Sequence, residues 1–233
     1  MKRMSATFLL LCGLLAPAVA KTRGDSCTTI STSGLFQLTS NLQATGTCII
    51  VAADFVTIDL GGFTITGNGT GEGITDDDRP RRGTVVRNGM VSRFGYGINL
   101  SSSTQTTIDR VQSVDNLRDG INVGHKSNVV DSAAHNNGGV GISVQGPGIV
   151  RNNLMTNNSG NIGLLAGSGS LVVGNVIHRT GFPNGGIGLE VSCPAAVLSN
   201  TVTFSNNLGS YDINLRSGTP PCSSSLNVGK LLE

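Results

Sequence analysis

Asp115, Arg118, Asp119 and Asn122 lie within eight residues of one another and form the richest catalytic cluster in the 233-residue chain. Removing a proton beside a sugar carboxylate needs a base, plus a fixed cation to hold the enolate that forms. Arg118 is the expected base or charge clamp. Asp119 is expected to help hold Ca²⁺ with water, an oxygen-ligand role. Asp115 completes the catalytic set. The competing plain reading is that Asp119 is a turn residue before Gly120.

Other constellations are weaker. Asp76-Asp77-Asp78-Arg79-Pro80-Arg81-Arg82 is the densest charge run. It is expected to be a protruding loop whose carboxylates either bind Ca²⁺ or pair with their own arginines. The chain has three His and no C-x-x-C pair, so no zinc centre is expected.

These residues need a scaffold, and a repeat supplies it. Gly73-Ile74, Gly97-Ile98, Gly120-Ile121, Gly141-Ile142, Gly163-Leu164, Gly188-Leu189 and Asp212-Ile213 are seven copies of one motif. Their apolar positions follow one another at a nearly constant step along the chain. A second motif, apolar-x-polar, runs in phase with them from Val86-Arg87-Asn88 to Leu198-Ser199-Asn200. Short alternating runs flank both, a strand signal. Periods of this length indicate a stacked solenoid. The leucine-rich horseshoe pattern is absent.

The spacing predicts an all-β fold, a right-handed parallel β-helix of about seven turns with an N-terminal cap. Each turn holds three strands, and turns stack roughly 4.8 Å apart. The inward stack is Ile74, Ile98, Ile121, Ile142, Leu164, Leu189 and Ile213. The outward row beside it is Thr75, Asn99, Asn122, Ser143, Leu165, Glu190 and Asn214. Asn tolerates the left-handed backbone of a sharp bend, so Asn88, Asn152, Asn175 and Asn200 are expected to form a corner ladder, interrupted by Arg110 and Ser132. Arg87, Asp109, Asp131 and Arg151 are expected to share one outward row.

Val56-Thr57-Ile58-Asp59-Leu60-Gly61-Gly62-Phe63-Thr64-Ile65-Thr66-Gly67 resembles the opening turn of right-handed parallel β-helix proteins of the pectate-lyase-like superfamily. The resemblance covers about residues 49–216. It implies the fold and a working face along the Gly-Ile strands. It does not select one activity, because the superfamily holds lyases, hydrolases, epimerases, adhesins and non-enzymes. Gly124-His125-Lys126 resembles the G-H-G of polygalacturonases. The other polygalacturonase motifs, N-T-D and R-I-K, are absent, as are the W-I-D-H of pectate lyases and the D-P-H-E of alginate epimerases.

Residues 1–20 read as a signal peptide: Lys2 and Arg3, an apolar Phe8 to Leu15 stretch, then Ala18-Val19-Ala20. Residues 21–54 are read as the cap, 55–216 as the coil, and 217–233 as a C-terminal loop and tail. Removing Lys2 and Arg3 from 16 basic residues leaves 14, against 14 acidic. Net neutrality argues against nucleic acid as a partner. No run predicts a membrane span. Four cysteines follow the leader. Sequence proximity favours Cys27–Cys48 and Cys193–Cys222, as expected of a secreted or periplasmic chain.

The functional expectation is an exported, monomeric repeat protein that contacts polysaccharide along its flank through Asn99, Asn122, Ser143, Glu190 and Tyr96. A lyase or epimerase acting on acidic glycans is the first alternative, with Ca²⁺ as the conceivable cofactor. A structural or adhesive surface module is the second. Glycosidic hydrolysis needs two carboxylates flanking one bond. Asp119 and Glu190 are three turns apart, about 14 Å by the stacking distance, which is too far. Aromatics make up only 4% of the chain, leaving Phe94, Tyr96 and Phe182 as candidates for stacking on sugars.

Overall fold

The structure is a computed structural model that describes residues 21–179, 186–203, 212–229 and 231–232. The leader expected over residues 1–20 and Phe182 lie outside the described residues. Every regular element described is a strand, and every strand pairing is parallel. The chain coils through three faces. A ten-stranded sheet forms the flank, and a sixteen-stranded sheet wraps the other two faces around a corner.

The flank strands include Ile49–Val51, Glu72–Thr75, Tyr96–Leu100, Ile121–Val123, Ile142–Val144, Ile162–Ala166, Ile187–Ser192 and Ile213–Arg216. Their register aligns Ile49, Ile74, Ile98, Ile121, Ile142, Leu164, Leu189 and Ile213. All of these are at most 1% exposed. The expected inward stack is therefore present and begins one turn earlier. Ile49 escaped the motif because Cys48, not Gly, precedes it. The third face counts eight strands along the coil, so the helix makes about eight turns.

The glycine of the motif is a packing requirement. A Cβ on Gly120 would lie 2.7 Å from both Asn137 Nδ2 and the Gly141 carbonyl oxygen. Only glycine lets the entering strand pass this close to the turn above.

Residues 21–54, read from sequence as a cap, carry strands inside both sheets. Lys21–Gly24 pairs with Gly34–Leu38, and Thr28–Ile30 pairs with Ile49–Val51. Phe36, 3% exposed, packs beneath Gly24 and closes the lower end of the core. Cys27–Cys48 staples the first turns, and Cys193–Cys222 staples the last. Both bridges join the positions that sequence proximity favoured.

Two corners are held by buried side-chain ladders, and one differs from expectation. At the bend between the second and third faces, Asn88, Arg110, Asp131, Asn152 and Ser199 all take positive φ. They form one left-handed outward column, so Arg110 does not interrupt it. The buried ladder is the next column: Ser132, Asn153, Asn175, Asn200 and Asn227. Asn88 and Asn152 thus belong to the outer column, and Asn175 and Asn200 to the inner one. The uneven turn length shifts the motif by one residue, and a strand slip of one residue reverses a side chain's face. For the same reason Val130, not Asp131, shares a row with Arg87, Asp109 and Arg151. Arg87 pairs instead with Asp59, and Asp109 with Arg110.

The second ladder was not read from the sequence. Asn116, Asn137 and Asn158 stack between the third face and the flank, and Asn116 Oδ1 accepts the Phe94 backbone N–H. Each asparagine satisfies backbone groups that the bend would leave unpaired in the interior.

Candidate functional site

Parallel pairing sets each outward flank residue directly above its counterpart. The register is Thr75, Asn99, Asn122, Ser143, Leu165, Glu190, Asn214, the row expected from the sequence. The row is more sheltered than a free sheet surface. Thr75, Asn99, Ser143 and Glu190 are each at most 9% exposed.

Two of its acceptors have no protein partner. Asn99 Oδ1 and Asn122 Oδ1 are buried and unbonded. They sit on adjacent strands of the same row. Asn99 is fixed from its other end, where Nδ2 donates to Glu72 Oε1 at 2.8 Å. Buried acceptors without donors are costly, and a ligand carrying hydroxyl groups would supply the missing donors.

Tyr96, on the same strand as Asn99, forms an exposed cation–aromatic pair with Arg118. Arg118 Nη1 donates to the Tyr96 hydroxyl at 3.0 Å, and its guanidinium carbon lies 5.2 Å from the ring centroid. The Tyr96 hydroxyl pushes the guanidinium's pKa above its already high value, with Asp119 adding to the effect. Arg118 therefore keeps its proton.

The structure does not gather Asp115, Arg118 and Asp119 around one point. Asp119 Oδ1 accepts the Val140 backbone N–H at 2.8 Å, which ties it to the next turn. Burial raises its pKa, while the Val140 N–H and Arg118 act against the rise. Asp115 stands at a left-handed corner with φ of 56° and binds Asn136 Nδ2. Among the described residues, neither carboxylate forms a salt bridge with Arg118.

Glu190 lies three strands from Asn122 in the register, so Asp119 and Glu190 do not flank one bond. Glu190 is a structural anion. Arg216 reaches it at 2.7 Å, and Asn214 Nδ2 donates to its other oxygen at 3.3 Å. Around it, Ser143, Gln145, Leu165, Glu190 and Arg216 line an open depression of about 350 Å³.

Phe94 is fully buried and unavailable for stacking on a ligand. Tyr96 is half-buried and remains available. His125 is exposed at a turn. His135 bonds Thr156 on the third face, and burial lowers its pKa. No group of three or more His, Cys, Asp or Glu suited to a metal occurs among the described residues.

A family model described as Right handed beta helix region matches residues 96–218, just over half of the chain. No curated protein matches in sequence. Two solved structures resemble the fold. "Crystal structure of pectate lyase Pel9A" shares 15% identity at a TM-score of 0.43, over 91% of this chain and 66% of that one. "Catalytic domain of GH87 alpha-1,3-glucanase in complex with nigerose" shares 10% identity at a TM-score of 0.35, over 91% of this chain and 60% of that one. The chain thus spans less than two thirds of either structure's length.

Proposed function

The chain belongs to the right-handed β-helix family, and on that premise we propose that it is an exported protein that binds polysaccharide along its flank. One observation carries the reading: the unpartnered, buried acceptors Asn99 Oδ1 and Asn122 Oδ1, stacked on adjacent turns of the flank, whose strand at Asn99 also carries Tyr96 of the Tyr96–Arg118 pair. Sugar hydroxyls donate to the two amide oxygens. The Tyr96 ring offers an apolar face, and Arg118 attracts a glycan carboxylate. Asn122, Ser143 and the depression at Glu190 extend the contact over successive sugars. The two disulfides suit an oxidising setting, in keeping with a secreted or periplasmic monomer. Among the described residues, no helix is long and apolar enough to cross a membrane.

A second reading is β-elimination on the same flank, favoured by the raised pKa of Asp119. In that step Asp119 takes the proton from the carbon beside the sugar carboxylate. Arg118 holds the developing charge, a carbon–carbon double bond forms as the neighbouring C–O bond breaks, and the glycosidic oxygen leaves with that bond's electrons and takes a proton from solvent. Ca²⁺ beside the glycan carboxylate would assist.

The test is titration of the mature protein with pectate, alginate and a neutral glucan, followed by calorimetry and by ultraviolet absorbance with and without Ca²⁺. Binding to an acidic glycan that is lost in Tyr96→Ala and in Asn99→Ala supports the flank reading. Rising absorbance that is lost in Asp119→Asn adds the lyase reading. No binding to any acidic glycan overturns both and leaves a structural or adhesive module.

A further inference from the structure

The densest charge run in the sequence begins with a carboxylate that is not on the surface. Asp76 is 0% exposed. Flank register places it in an inward row between Val51 and Leu100, where every other described turn carries an aliphatic side chain. Ser103 of the next turn, also fully buried, donates to Asp76 Oδ2 at 2.7 Å. Asp76 Oδ1 has no partner in hydrogen-bonding geometry. Burial raises the pKa of this carboxyl, and Ser103 together with the nearby backbone of Asp78 opposes the rise. Two further orphans occupy the same corner. Thr84 and Thr106 are each 0% exposed, and both Oγ1 atoms lack a partner.

The topology brings these groups together. Asp76 opens the connection between the flank and the second face, and Thr84 closes it. One turn on, Thr106 holds the place of Thr84, while Leu100 is the counterpart of Asp76 and Ser103 follows it within the same connection. Thr84 and Thr106 are neighbours in one inward row, since the Thr107 N–H bonds to the Thr84 carbonyl at 2.8 Å. Asp76 meets Ser103 at the start of this corner and Thr84 stacks on Thr106 at its end, all buried on two adjacent turns, and three of their oxygens lack a partner.

We propose that this corner is a binding site for a small hard cation, Na⁺ or Ca²⁺. An oxygen-only donor set of carboxylate and hydroxyl groups suits such ions. A single carboxylate neutralises one positive charge, which favours Na⁺. A buried anion in an aliphatic stack is costly unless it is paired, and Arg79, Arg81 and Arg82 do not pair with it. Arg81 Nε bonds the Val51 carbonyl instead. Asp77 and Asp78, both at positive φ, bend the chain out of the stack immediately after Asp76. The site lies inside the coil and is independent of the flank, so it would persist even if the glycan reading failed.

The experiment is thermal unfolding of the mature protein at constant ionic strength in choline chloride, NaCl and CaCl₂. The expected result is a midpoint higher in NaCl or CaCl₂ than in choline by about 5 °C, saturating with concentration. The salt that saturates at the lower concentration identifies the ion. The response should vanish in Asp76→Asn and Thr106→Val and survive in Asp77→Asn. Should Asp76→Asn fail to fold, Thr106→Val carries the test. Equal midpoints in all three salts, or a response that persists in a folded Asp76→Asn or in Thr106→Val, would overturn the proposal.

Discussion

Replacing Asn153 by alanine should cost this protein far more than changing its neighbour Asn152. The Asn153 side chain makes three hydrogen bonds. Its Oδ1 accepts the Ser132 N–H at 3.0 Å, and its Nδ2 donates to the Val129 carbonyl at 2.8 Å and to Asn175 Oδ1 at 3.0 Å. Alanine would strand the Ser132 N–H in the interior, whereas the Val129 carbonyl lies in a strand paired with the next turn and Asn175 Oδ1 keeps the Asn153 backbone N–H. One stranded group costs about 1–3 kcal/mol, giving about 2 kcal/mol. For a chain of this size that lowers the melting midpoint by roughly 4–8 °C. Asn152 is exposed, has φ of 56° and makes one side-chain bond, to Asp131. Asn152→Gly keeps the left-handed backbone free of strain and should cost about 0.5 kcal/mol. Asn153→Ser should fall between the two, because Ser132 already fills the ladder with a hydroxyl that accepts the Val111 N–H. Urea unfolding followed by far-ultraviolet circular dichroism measures all three. An unchanged denaturant slope shows that the solenoid still unfolds as one unit. If Asn152→Gly proved the more damaging change, the corner register would be wrong by one residue.

Three further outcomes are expected. Gly120→Ala should destabilise by about 2 kcal/mol or more, because its Cβ would meet Asn137 and the Gly141 backbone at 2.7 Å, whereas Gly46→Ala, with open space around it, should be close to neutral; equal midpoints for the two variants would contradict the packing account. Loss of the Cys27–Cys48 bridge, whose cysteines are 21 apart in sequence, should cost about 3 kcal/mol, read as a lower urea midpoint of Cys27→Ser/Cys48→Ser. Burial raises the Asp76 and Asp119 pKa values above 3.8, so the folded chain holds more protons than the unfolded one just above that pH. In choline buffer these two groups lower stability as pH rises through that window, against the opposite contribution of Asp59, whose pKa is lowered, and Asp76→Asn should make the slope more positive; an unchanged slope in that variant would show that Asp76 does not titrate with folding.

Much of the fold was legible because the solenoid repeats its physics on every turn. The inward column from Ile74 to Ile213 and the outward row from Thr75 to Asn214 follow from period-two alternation inside a repeat of nearly constant length. The disulfides followed from sequence proximity, since partners one turn apart in the chain are neighbours in space. What failed was register at the bends. Turns of unequal length absorb their extra residues at corners, so an asparagine there is one residue from facing the opposite way. Asn152 and Asn153 are adjacent identical residues with opposite environments, and no periodicity assigns them. The ladder at Asn116, Asn137 and Asn158 carries a readable signal, since its members are evenly spaced along the chain, but it lies on bends, where no strand alternation marks which side chains face inward.

The chemical cluster was harder to read for a different reason. Proximity along the chain places Asp115, Arg118 and Asp119 on one bend, but a bend points successive side chains in different directions. Asp115 turns to Asn136, Arg118 to Tyr96 on the turn before, and Asp119 to the backbone of Val140 on the turn after. In a solenoid the natural partner of a residue is its counterpart one repeat away, not its neighbour in sequence. The same rule explains Asp76. As a member of a charge run it reads as a surface loop; as a member of the column Val51, Asp76, Leu100 it is an anion inside the core. Each outward or inward column therefore has to be judged as a column. On the flank, that judgement selects Asn99 and Asn122, two unsatisfied acceptors on adjacent turns, as the residues on which the proposed polysaccharide binding rests.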